Sequence, residues 1–163
     1  MNVAVYPSNE SVTPFIRVMS GGLDDVETAA EKYLTPLGIS YQIVESSTIT
    51  PSPYIANSQT VTLGVDGAPP TYGWDFAAAQ QAATAYNSEY WQKQYNQGIL
   101  GLSITAPYQL SLAIATPEAE RTAEQLAAVE FLTGINTLQT EVQDSIDAAT
   151  TGEEIIQILS QLG

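Results

Sequence analysis

Three carboxylates lie near a run of aromatic residues: Asp66, Asp75 and Glu89 beside Tyr72, Trp74 and Tyr90. A pair of carboxylates can hydrolyse a glycosidic bond, and aromatic faces can stack on sugar rings. The spacing is not lysozyme-like, however, and aromatics at helical spacing ordinarily pack a core. A second acidic group, Asp24-Asp25 with Glu27, has the composition of a metal or acid/base cluster. Its place at a helix start supplies a sufficient structural reason, because carboxylates there meet free amides and the positive end of the helix dipole. Asp24 is the expected N-cap. Glu153-Glu154, following Gly152, has the same explanation. Gly64–Gly67 would offer a calcium ion only Asp66, and Gly21-Gly22 stands alone as a turn. The chain has no cysteine and no histidine. That removes thiolate nucleophiles, Cys/His zinc sites and every Ser–His or Cys–His mechanism. The expectation is a non-enzymatic protein without catalytic residues, metal or cofactor.

The totals fit that expectation. In 163 residues, 18 acids against 4 bases give a net charge of −14. A nucleic-acid duplex or an anionic membrane would repel such a chain, since binding either requires basic side chains. Hydrophobic content of 44% fits a folded domain. Charged content of only 13% leaves much of the surface to Ser, Thr, Gln and Asn. No basic-plus-apolar leader and no apolar run near membrane-spanning length is present, so a soluble protein made in a cytosol is expected.

The fold expected is α+β. Asn2–Tyr6, turned by Pro7-Ser8-Asn9, and Val12–Met19, with Pro14 at an edge or bulge, read as a hairpin. A helix follows over residues 24–34 with Val26, Ala29, Ala30, Tyr33 and Leu34 on one face, stopped by Pro36 and Gly38. Ser40–Val44 alternates as a strand. Residues 1–45 are therefore a ββαβ module. Residues 46–73 read as a connector with one strand, Gln59–Val65, and a loop over Asp66–Gly73. Residues 74–163 read as mainly helical. A helix over Trp74–Gln97 is capped by Asp75 and closed by Gly98. The apolar stretch Ile99–Ala115 alternates at Leu110, Leu112 and Ile114, which favours a strand pair around Ala106-Pro107, with a buried helix as the alternative. A long amphipathic helix then begins at Thr116-Pro117-Glu118, and a short one over Glu153–Leu162 ends the chain.

The first module carries a family resemblance. Val3–Pro7 reads V-x-V-Y-P, Leu23–Ala30 reads L-x-x-x-E-x-x-A, and Gly38, Tyr41, Ile43, Val44, Glu45 and Ser47 follow in matching order. These resemble a set of small phage proteins encoded beside tail-fibre genes, which look like tail or tail-fibre accessory components. The resemblance runs to about residue 55, with a weaker echo at Trp74, and the chain departs from it by inserting Pro51–Gly73. It implies a structural protein of the virion tail, made in the host cytoplasm and bound to other phage tail or fibre proteins. An assembly chaperone that leaves the finished particle, and a glycan-active tail protein, are the alternatives.

Two surfaces are candidates for that binding. One is aromatic: Tyr72, Trp74, Tyr90 and Trp91, in a region that also holds Tyr86 and Tyr95. The other is the stripe Ala128, Phe131, Ile135, Leu138, Val142 and Ile146 on the long helix. Its spacing from 128 to 142 is heptad-like over about two heptads. Pairing with the 74–97 helix inside one chain, or with other copies or a partner's helix, both fit. Removal of Pro117–Gly163 is expected to abolish assembly while residues 1–45 still fold.

Overall fold

The computed structural model describes residues 1–7, 16–49, 52 and 54–162. The turn expected at Ser8-Asn9, the beginning of the second strand at Val12 and the edge or bulge at Pro14 lie outside them. The architecture is α+β, with a small sheet near the N-terminus and helices after it. The chain forms two compact units, Met1–Ala83 with Ala149–Gln157, and Thr84–Ala148 with Ile158–Gly163. Both the 1–45 module and the 46–73 connector fall in the first.

In the first unit, β1 (Asn2–Pro7) is the centre of an antiparallel sheet between β2 (Ile16–Gly21) and β3 (Gln42–Glu45). Val3 lies opposite Ser20 on one side and Val44 on the other. Successive strand side chains point to opposite faces, and both faces of β1 are used. Ala4 packs with Val26, Ala30 and Leu34, beneath α1 (Leu23–Tyr33). Val3 and Val5 pack with Val61 on the opposite face. Burial on both sides explains why Asn2–Tyr6 is apolar at consecutive positions rather than alternating.

The second cover belongs to a hairpin that sequence patterning divided differently. β4 (Gln59–Thr62) pairs antiparallel with β5 (Thr71–Trp74), where a loop was expected. Gly73 and Pro69-Pro70 mask β5 in the sequence, and its pairing partner is the feature that makes it a strand. Between them Asp66 (φ 54°) and Gly67 (φ 81°) both take left-handed backbone, which Asp and Gly tolerate. Gln42 clamps the connection. Its side-chain Nε2 donates to the carbonyls of Gly64 (3.2 Å) and Ala68 (3.0 Å), and its Oε1 accepts from Gly64 N–H at 2.8 Å.

Helix starts follow local hydrogen bonding. Before α1, Gly22 is the N-cap and makes no side-chain cap, so the helix starts at Leu23 and Asp24 lies within its first turn rather than capping it. Asp75 does cap α2 (Phe76–Gly98), accepting from Ala78 N–H at 3.1 Å. Trp74 is thus the end of β5, not the start of the helix. The second half of α2 belongs to the second unit, with α3 (Pro107–Ala115) and α4 (Ala123–Ala148). Residues 107–115 are helical, not the favoured strand pair. Period-2 alternation and a helix are indistinguishable where nearly every position is apolar.

The Thr116-Pro117 signal opens only a 3-10 turn over Glu118–Glu120. α4 begins six residues later, at a reciprocal capping box: Thr122 N–H donates to Gln125 Oε1 (3.0 Å), and Gln125 N–H donates to Thr122 Oγ1 (3.3 Å). A second box starts α5 (Gly152–Ser160). Glu154 Oε2 accepts from Thr150 N–H (2.7 Å), the Thr150 hydroxyl (3.0 Å) and Thr151 N–H (3.2 Å), and Glu154 N–H donates to Thr151 Oγ1 at 3.2 Å.

These bonds, led by the Thr150 amide, hold the Glu154 carboxyl below its ordinary range. A depressed folded pKa contributes stability above the ordinary Glu value of about 4.3, and this is lost as pH falls through the lower folded value. The carboxyl 13C shift of Glu154 should therefore titrate below the ordinary Glu value of about 4.3. Glu154→Gln should remove the corresponding acid-sensitive fraying of α5. A midpoint at or above that ordinary value would refute the capping role.

Candidate functional site

Within the second unit, α4 finds a partner in its own chain. Asn87, 1% exposed on α2, donates from Nδ2 to the Gln139 carbonyl at 3.1 Å and to Gln143 Oε1 at 3.3 Å. Gln143 Nε2 in turn donates to Thr84 Oγ1 at 3.0 Å. Further along, the Tyr95 and Phe131 rings stack with centroids 6.3 Å apart. Gly98 sits against the Phe131 ring, where any β-carbon would collide with it. Gly98 is therefore an approach point between helices, in ordinary helical backbone, and not a terminating cap. Pairing with α2 inside one chain is formed.

The expected stripe on α4 consequently divides. Ala128 and Ile146 are wholly buried, and Phe131 and Ile135 are half-buried. Leu138 remains 46% exposed and Val142 is half-buried. These last two line a groove of ≈490 Å³ with Tyr90 and Trp91 of α2. The opposite wall comes from Ile158, Gln161 and Leu162, and Glu141 and Ser145 supply polar groups. Four of the ten expected interface residues thus meet in one depression. Its volume and its mixture of apolar walls with few polar groups fall within the range of binding sites.

Aromatic geometry shapes the floor. Trp91 meets Tyr90 edge-on, centroids 5.2 Å apart and planes at 90°, while Tyr90 stacks on Tyr86 at 6.5 Å. Such contacts fix ring positions, so the apolar wall is preorganised. The Trp91 indole nitrogen is buried without a hydrogen-bond partner among the described residues.

The remaining aromatic candidates do other work. Tyr72 is half-buried beside the Val3, Val5 and Val61 cluster, with its hydroxyl buried and unpaired among the described residues. Half-buried Trp74 presses on Gly152, leaving no space for a β-carbon there. Ile158 was missed in the sequence although it lies three residues after Ile155 and four before Leu162, on one face of the last helix. That spacing is the signal that would have found it.

The carboxylates considered for catalysis have separate local settings. Asp66 occupies the hairpin turn, Asp75 caps α2, and Glu89 is exposed on α2 in the other unit. Among the described residues no group of three or more carboxylates could hold a metal ion, and no helix is long and apolar enough to cross a membrane. No family model, curated protein or solved structure matches the chain.

Proposed function

We propose that this chain is a non-enzymatic phage virion component, a tail or tail-fibre accessory protein that works by binding another tail protein. The groove of Tyr90, Trp91, Leu138 and Val142 carries the binding part of this reading; the N-terminal resemblance carries the phage part. The occupant is an apolar segment of the partner bearing a lysine or arginine. Apolar side chains fill the aromatic and aliphatic walls, and the basic group faces Glu141. A net charge of −14 attracts such a segment and repels an acidic one.

Leu138→Asp places a charge on the apolar wall while altering a half-exposed position. It is expected to weaken capture of the partner fibre or tail protein at least tenfold, as read by co-purification and titration calorimetry. Binding should also weaken with added salt, because opposite charges are screened. In purified particles the protein should appear at stoichiometric copy number by mass spectrometry. Presence only on immature fibres in infected-cell extract would identify a chaperone, and release of reducing ends from host glycan would overturn the non-enzymatic reading.

A further inference from the structure

The second unit carries another surface, on α3. This helix packs on α4 with Leu110 and Ala113 buried. At 100° per residue, Tyr108, Ser111, Leu112 and Ala115 share the opposite face. Tyr108 is 75% exposed and Leu112 49%, and at the edge of that face Ile114 is 57% exposed. The helix is mostly apolar, yet one side of it is open. Nor can it rotate to hide. Arg121 grips its C-terminal end, with Nε donating to the carbonyls of Ala113 (3.0 Å) and Thr116 (2.9 Å) and Nη2 to that of Ile114 (3.3 Å).

The stretch of sequence that forms α3 is uncharged. Between Lys93 and Glu118 there is no acidic or basic residue, in a chain of net charge −14. We infer that the outer face of α3 is a self-association surface whose occupant is α3 of a second copy. Two copies of an acidic chain need an uncharged place to meet, and this stretch offers one. A twofold contact would lay Tyr108 of each copy over Leu112 of the other, an isologous arrangement. Nine residues rise only about 13 Å, so one face of so short a helix buries less than the roughly 800 Å² per partner of a standard interface. The dimer is accordingly weak.

This contact is independent of the groove, and salt separates the two. Screening relieves repulsion between like-charged copies, so self-association strengthens with salt where groove binding weakens. Sedimentation equilibrium of the full chain, from about 10 µM to about 1 mM at about 0.05 M and about 0.5 M salt, reads this directly. The expected result is a monomer–dimer equilibrium tighter at high salt, lost in Leu112→Asp and in the milder Tyr108→Ser, and intact in Leu138→Asp. A monomer at every concentration, an association untouched by both α3 substitutions, or one that weakens with salt would overturn the inference.

Discussion

Gly64→Ala is expected to lose about 3–5 kcal/mol of stability and to melt about 10–15 °C lower than the parent chain. A β-carbon on Gly64 would collide with the Ala68 carbonyl oxygen, and would lie 2.6 Å from the Ala68 carbonyl carbon and 2.8 Å from the Pro69 carbonyl oxygen. All of these are backbone atoms, so no side chain can swing aside. Moving the loop instead would pull Gly64 and Ala68 away from Gln42, breaking three hydrogen bonds. Gly101→Ala is the matching control, because nothing lies within 4 Å of its β-carbon position. It should be neutral or slightly stabilising, by up to about 1 kcal/mol. Circular-dichroism melts compare the two variants, and amide exchange on β4 and β5 localises the damage. Equal melting temperatures would mean that the hairpin connection is not clamped as described.

Ile146→Ala is expected to cost about 2–5 kcal/mol, the range for truncating a wholly buried aliphatic side chain. Leu138→Ala, eight residues earlier and about half exposed, should cost less than about 1 kcal/mol. The two residues belong to one stripe in the sequence, so the difference isolates what folding did to that stripe. Chemical denaturation gives both values. A Leu138 cost as large as that of Ile146 would place Leu138 in the core and remove the groove's lower wall.

That division shows how far periodicity reaches. Spacing identifies the face of α4 that must be covered, but not which neighbour covers each turn. Ala128 and Ile146 are shielded completely, while Leu138 meets only the rim of a depression. The ββαβ module was legible because the β-rich runs at Asn2–Tyr6 and Ser40–Val44 flank a helix whose Val26, Ala30 and Leu34 share one face. β5 was not, because Thr71–Trp74 earns its strand geometry from β4 and local composition argued for a loop. The start of α4 was misplaced because Thr116-Pro117 and Thr122–Gln125 are both valid N-terminal signals, and only the second closes a reciprocal pair of hydrogen bonds. Of the groove, Tyr90, Trp91, Leu138 and Val142 were visible as exposed-capable apolar residues. Ile158, Gln161 and Leu162 join them only through the return of the chain's last helix, which local patterns do not encode.

The two-part membership of the first unit bears on how the protein is made. Its sheet and hairpin are synthesised early, yet Ala149–Gln157 complete it, bringing Gly152 to Trp74 and burying Ile155. At about 5–20 residues per second, translation of Thr84–Ala148 takes on the order of 3–13 s. Throughout that interval the nascent first unit must wait on the ribosome with its Trp74 edge uncovered. Truncation at Pro117 would freeze the chain in this waiting state. Loss of assembly in such a fragment would report an unfinished first unit as much as a missing α4. Point substitutions in the groove are therefore the cleaner probe of binding.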